Sequence, residues 1–335
     1  MPLDPLDREH FEASRVAAAA ALAERAPRPA RVGNVLIGSA SWTDPTLVKS
    51  GLFYPPSART AEARLRYYAS QFPLVEVDSS YYALPSRRAA ELWVERTPDD
   101  FVFNVKAYGS MTGHPIELRA LPKDVAAALP ERLAGKRRAY PRDLGAELVQ
   151  ELEDRFVDAL QPLTRAGKLG AVLLQLPPWF TATRGNARRI EAYRERLADL
   201  PLAVELRHPS WLADDRRPRL MKLLGDNRLT YVGVDTPQGR KTSMPDVLEV
   251  TCPSLAMVRF HGRNRQTWDA RTATAAERFD YIYVPDELRP WAERVAALGE
   301  RAELVHALFN NCTYHAAQLN GYDLAALLAE GSPNG

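Results

Sequence analysis

The chain has 335 residues, 46% of them hydrophobic, and a formal net charge of +2 at pH 7. That length accommodates either two domains or one large α/β barrel, and the near-neutral charge supplies no general drive toward nucleic acid or a membrane. Two cysteines, Cys252 and Cys312, are too few for a disulfide framework or a structural zinc site.

Residues 1–32 carry acidic side chains and an Ala-rich helical pattern, not a basic region followed by an apolar core, so they read as an N-terminal extension and not a signal peptide. No apolar run approaches a membrane span, and a soluble, cytoplasmic protein is expected. From residue 33 to about 330, eight β-rich runs recur: NVLIGSAS (34–41), LVEVDSSY (74–81), FVFNVKAY (101–108), GAVLLQLP (170–177), LAVELRH (202–208), TYVGVDT (230–236), LAMVRFHG (255–262) and ELVHALFNN (303–311). Helical patterns lie between and after them, at 60–71, 86–96, 145–166, 183–199, 213–226, 286–298 and 313–329. The sixth run is followed by a loop, PQGRKTSMPDVLEVTCP, with no clear helix. A further irregular region, 117–143, is inserted after the third run; its basic stretch GKRRAYPR reads as a solvated loop, with phosphate or partner contact as the alternative.

Strand–helix alternation of this kind predicts parallel strands joined by crossovers. With eight strands, the expected fold is an α/β TIM-type (β/α)8 barrel. The rival, an open doubly wound sheet, lacks its glycine-rich first turn, since IGSASWTD contains no GxGxxG.

Side chains alternate across a strand, which divides each run into two faces. Taking the apolar partners as the helix-covered outside, Glu76 and Asp78 oppose Val75 and Val77. Asn104 and Lys106 oppose Phe103 and Val105, and Gln175 opposes Leu174 and Leu176. Glu205 and Arg207 oppose Val204 and Leu206; Gly233 and Asp235 oppose Val232 and Val234. Arg259 and His261 oppose Val258 and Phe260, and His306 and Asn310 oppose Val305 and Phe309. The first strand is less decisive, with Ser39 and Ser41 on one face. One charged strand would be noise, but most strands turn polar toward their C-terminal ends, where barrel active sites are built. A purely internal salt-bridge network is the competing explanation, and it is a poor source of stability because each buried ion is costly before pairing.

The residue types at this mouth narrow the chemistry. A metal centre wants histidines and carboxylates with little competing positive charge, whereas Lys106, Arg207 and Arg259 interleave with the acids. His114, His208 and His261 lack HxH or HExxH spacing, so no cofactor is expected and a divalent metal is the minor alternative. Anion binding suits the residues better: Arg263 and Arg265 follow strand seven, and Asn310, Asn311 or Thr313 could cap the last helix. Glu76 and Glu205 are the candidates for proton transfer. Lys106 is a candidate Schiff-base nucleophile, although a neighbouring carboxylate would keep it charged and holding negative charge is the preferred role. Trp42, Tyr81, Tyr82 and Trp211, just past strand ends, are expected to wall a sugar or base pocket or else to plug the barrel top.

The blocks IGSASWTD, GLFYPP, LVEVDSSYYALP, FVFNVKAYGSMTGHP, LGAVLLQLPPWF, AVELRHPSW, VRFHGRN and LFNNC run in this order between Gly33 and Asp323. They resemble the blocks of domain-of-unknown-function family 72, the YecE-like proteins. The resemblance implies a TIM-type barrel and no particular reaction. Glu76, Lys106, Glu205, Arg207, Arg259, His261 and Asn310 fall inside these blocks; the N-terminal extension and the 117–143 insertion do not. Such barrels are also similar in architecture to endonuclease-IV-type barrels, which suggests nucleic acid by fold analogy alone.

The function these features predict is an enzyme acting on a small anionic substrate, phosphorylated or sugar-like. Glu76, Glu205 and Lys106 are its catalytic candidates. Arg207, Arg259, His261, Asp78, Asp235, Asn310, Arg263, Trp42, Tyr81 and Trp211 are its binding candidates. The alternatives are a nucleic-acid-binding or phosphodiester-processing protein and a non-catalytic partner module.

Overall fold

The computed structural model describes residues 30–240, 242–270 and 275–331. Eight parallel strands form the centre: β1 (Val35–Ser39), β2 (Leu74–Val77), β3 (Val102–Lys106), β4 (Leu169–Gln175), β5 (Leu202–Glu205), β6 (Thr230–Asp235), β7 (Ala256–Phe260) and β8 (Val305–Phe309). Each pairs with its sequence neighbours, and β1 pairs with both β2 and β8, so the sheet closes. The α/β TIM-type barrel read from the strand–helix alternation is the fold observed. Closure leaves no barrel edge strand, which satisfies the ladder hydrogen bonds of every member.

The longer helices among the described residues are α1 (Ala61–Gln71), α2 (Arg87–Glu95), α3 (Ala146–Arg165), α4 (Arg184–Arg196), α5 (Arg217–Asp226), α6 (Pro285–Gly299) and α7 (Ala316–Glu330). Their starts follow local chemistry. The side chains of Thr60, Ser86 and Thr183 accept the backbone N–H of Ala63, Ala89 and Asn186, closing the first turns of α1, α2 and α4. The segment from Pro245 to Leu255, between β6 and β7, contains no helix.

Residues 1–29 of the expected extension lie outside the described residues. Its end does not stand apart from the sheet: Arg31–Val32 pairs antiparallel with β1 through a turn at Gly33, whose φ of 56° suits glycine. The 117–143 insertion is ordered by its own hairpin, in which Ile116–Glu117 pairs antiparallel with Arg138–Ala139. Two short helices, Lys123–Ala127 and Pro141–Leu144, flank that hairpin's second strand.

Register settles which faces point inward. Arg259 pairs with Val234, and Met257 with Val232. In a parallel ladder paired residues share a face, so Val232 and Val234 lie inside with Arg259, while Gly233 and Asp235 lie outside. This reverses the phase expected for strand six. On β6 the apolar pair fills the interior while its one charge, Asp235, finds Arg263 and the Tyr283 hydroxyl behind the sheet, so here the apolar face does not mark the outside. Ser39 also faces outward, bonding the Tyr68 hydroxyl of α1 at 2.9 Å. The other inner positions are as expected, and they place Glu76, Asn104, Lys106, Gln175, Glu205, Arg259 and His306 inside the barrel. Glycine makes room for them at one point. A Cβ on Gly170 would sit 2.6 Å from Asn104 Oδ1 and 2.8 Å from His306 Cε1.

Candidate active site at the barrel mouth

The inward charges form one ionic layer. Arg259 on β7 donates to Glu76 Oε1 at 2.6 Å and, from its other terminal nitrogen, to Glu205 Oε2. Glu205 Oε1 accepts from Gln175 at 2.7 Å, from Arg207 at 3.1 Å and from His261 Nε2 at 3.1 Å. The Asn310 amide, 2.9 Å from His261 Nδ1, leaves the ring proton on Nε2, where it reaches Glu205. Burial pushes the His261 pKa down to about 3 against the pull of Glu205, so the ring is a neutral donor.

The two glutamates therefore differ. Burial raises the Glu205 pKa, but Arg259, His261 and Arg207 together outweigh it and hold the carboxyl well below its usual range. Every oxygen of Glu205 is engaged. For Glu76, burial wins over Arg259 and Lys106 and its pKa is raised; its Oε2 has no hydrogen-bond partner among the described residues. Both are fully buried. The carboxylates expected to work at the mouth instead form its floor.

Above this floor lies a cavity of ≈ 670 Å³. Lys106, Gln175 and Arg207 reach it from the strand ends, Tyr81, Tyr82 and His114 from the loops after β2 and β3, and Trp179 from the loop after β4. Trp268, Arg278 and Phe279 close it from the loop after β7, and Arg138 comes from the inserted hairpin. The described lining residues carry four Lys or Arg side chains against one carboxylate, Asp269. Arg207 stacks 5.2 Å over Trp268. His114 bonds Thr112 through Nδ1 at 2.9 Å, and burial, with Lys106 and Arg207 nearby, lowers its pKa to about 4.

Lys106 stands apart. Its ammonium lies 4.8 Å from the centre of the Tyr81 ring and makes no hydrogen bond or ion pair with a described residue. Burial and then Arg259 push its pKa down, against Glu76, Glu205 and Asp78. The carboxylate neighbour expected to clamp its charge is not within ion-pair distance. The Asp78 carboxyl, also without such a partner, is raised to about 6 by burial, with Lys106 opposing.

Four expected binding residues sit elsewhere. Asp235, outward-facing, takes a bidentate grip from Arg263 (2.9–3.1 Å) and a 2.6 Å bond from the Tyr283 hydroxyl. That pair ties β6 to the loop after β7, which leaves neither charge for a ligand. Trp42 packs edge-on against Trp93 and Phe103, at 6.0 and 6.4 Å, and Trp211 donates to the Phe180 carbonyl at 2.6 Å. Trp42 thus lies between the outer face of β3 and α2, and Trp211 stacks on Phe180 of the loop after β4; both are buried and neither lines the cavity. Tyr81 and Tyr82 do line the cavity as expected, and the remaining walls come from His114, Trp179, Trp268, Arg278, Phe279 and Arg138, which strand phase does not reach. Usable signals were Trp179, an aromatic in the PPWF turn directly beyond β4, and Arg138, in the basic stretch GKRRAYPR. Among the described residues, no three His, Cys, Asp or Glu side chains converge to hold a metal ion.

These features define a (β/α)8 barrel with a cationic, aromatic-walled cavity at the strand C-termini, the end where enzymes of this architecture carry their sites. The chain belongs to the family described as protein of unknown function DUF72, whose model matches residues 36–334. It is 32% identical to UPF0759 protein YunF of Bacillus subtilis (strain 168) over 297 residues, 88% of this chain and 94% of that protein. Identity to UPF0759 protein YecE of Escherichia coli (strain K12) is 24% over 310 residues, 83% of this chain and 92% of that protein. A solved DUF72 family protein of Enterococcus faecalis superposes with a TM-score of 0.71 at 27% identity, covering 88% of this chain and 95% of that one. The Thermotoga maritima DUF72 structure gives 0.69 at 27% identity, covering 88% and 99%. No described helix is long and apolar enough to cross a membrane.

Proposed function

We propose that the mouth cavity binds a small anion bearing a flat or sugar-like body, and that the protein is an enzyme acting on it. The observation that carries this reading is the cavity lining. Lys106, Arg138, Arg207 and Arg278 converge on a space walled by Tyr81, Trp179, Trp268 and Phe279. Guanidinium groups recognise phosphate and carboxylate bidentately, and aromatic faces take the apolar side of a ring. The reacting groups within reach are Lys106 and His114, with Glu76 supplying the unpartnered carboxylate oxygen beneath them. Glu205 holds Arg207 and His261 in position and does not itself move a proton.

The test is a thermal-shift series at matched ionic strength with inorganic phosphate, sugar phosphates, nucleotides and short oligonucleotides. A ligand at about a hundred times its Kd adds roughly 2.7 kcal/mol of stability, a readable shift. Phosphorylated small molecules are expected to stabilise the wild type, and Arg207→Ala to lose that increment relative to its own ligand-free midpoint. The reading fails if no anion in the series stabilises the protein. Arg138 favours a second reading, because it brings the basic inserted hairpin to the cavity rim. Stabilisation by oligonucleotides alone, weakening steeply with salt, would select that one.

A further inference from the structure

Lys106 is chemically unlike the other cations at the mouth. Arg259 is held between Glu76 and Glu205, and Arg207 is held by Glu205. Arg138 pairs with Glu117, and Arg278 reaches the Ala270 carbonyl at 3.3 Å. Lys106 Nζ has no such partner among the described residues, opens onto the cavity, and has the Tyr81 ring 4.8 Å away. A lysine in a desolvated site beside a second cation loses its proton more readily than a solvated one and becomes a nucleophile. Arg259, immobilised by its two glutamates, is that second cation.

We infer that Lys106 is a nucleophilic amine that condenses with the carbonyl group of a small anionic aldehyde or ketone bound in the mouth cavity, an inference that rests on the anion-binding reading above. The amine lone pair forms the C–N bond while the carbonyl π pair moves to oxygen. One proton passes from nitrogen to that oxygen, giving a carbinolamine. A second proton, the one Lys106 released on becoming an amine, returns to the hydroxyl, which leaves as water as the nitrogen lone pair closes the C=N bond. Ammonium plus carbonyl thus become a protonated imine plus one water, with no oxidant or reductant. Asp78 and Glu76 lie beyond ion-pair distance of Lys106, so water in the cavity relays these protons between them and the reacting atoms.

Pyridoxal 5′-phosphate, an aldehyde carrying a flat ring and a phosphate, is a direct probe. The full chain is treated with it at neutral pH, reduced with cyanoborohydride, and mapped by mass spectrometry. Exposed Lys49 and the Asp226-paired Lys222 serve as internal references. Lys106 is expected to label about ten-fold faster than either, because a larger share of it is the free, nucleophilic amine. Inorganic phosphate should slow that labelling, and Lys106→Arg should remove one equivalent from the fast phase while keeping the fold. Pyridoxine 5′-phosphate, which has the ring and phosphate but no aldehyde, separates the two levels of the argument. If it stabilises the protein yet Lys106 labels no faster than the references, the imine inference is overturned and the anion site stands. If neither pyridoxine 5′-phosphate nor inorganic phosphate stabilises the protein and Lys106 is not selectively labelled, both fall.

Discussion

The Arg259 guanidinium and the Glu205 carboxylate meet inside the barrel, one from β7 and the other from β5, with 1% and 0% of their side chains exposed. Neither ion could stay there alone, because an unpaired buried charge costs several kcal/mol. Arg259→Met should therefore destabilise the protein by about 3–5 kcal/mol, since it leaves Glu76 and Glu205 facing each other without a counter-ion. Urea unfolding measures this. Adding Glu76→Gln and Glu205→Gln should recover part of the loss, and a single-variant cost under about 1 kcal/mol would show that the ionic layer is not what holds the floor.

His306 gives a pH signature. It is buried on β8, donates to Asn104 Oδ1 at 3.2 Å through Nδ1, and has no partner at Nε2 among the described residues. Burial pushes its pKa from 6.5 down to about 3. Between those values the unfolded chain binds a proton that the native state does not, so this residue's effect on stability worsens as pH falls below 6.5. The loss amounts to about 1.4 kcal/mol per pH unit. His306→Gln should flatten the stability–pH profile by about that slope between pH 6 and 4. An unchanged slope would mean that the native ring takes up the proton.

Lys168 is a buried lysine with no carboxylate partner among the described residues. Its Nζ donates to the carbonyls of Val94 and Thr97, both at 2.9 Å, and to Thr97 Oγ1 at 3.2 Å, capping the end of α2. Lys168→Met should cost about 2–3 kcal/mol, because the carbonyls lose a charged donor and stay buried. Calorimetry on the variant checks it, and a change within about 0.5 kcal/mol would show water replacing the ammonium.

Gly170→Ala tests how tightly the barrel interior is filled. The new methyl would lie 2.4 Å from Val102 Cγ1 as well as against Asn104 and His306, and rigid strands carry all three. A loss of about 1–3 kcal/mol is expected, seen as a lowered Tm without change in the helical content.

Much of the architecture was legible in the chain. Strand and helix positions follow from local periods of two and 3.6 residues, and helix starts from Thr60, Ser86 and Thr183, side chains that act within three residues of themselves. The inward placement of Glu76, Lys106, Glu205, Arg259 and His261 was legible because a charge opposite a valine has only one face on which to find company. Asp235 escaped that logic. Its company, Arg263 and Tyr283, lies behind the sheet and comes from the segment after β7, which no local pattern of β6 reports.

Sequence by itself determined that eight strands and their crossovers close a barrel, and that its mouth is charged, because those properties depend on spacing along the chain. Tertiary structure alone decided which charges are spent and which are free. Arg259 finds Glu76 across 183 residues and Glu205 across 54, distances over which no local pattern reports pairing. It also decided that Lys106 meets an aromatic ring instead of a carboxylate, since that outcome depends on the closed barrel bringing loop and strand end to the same point.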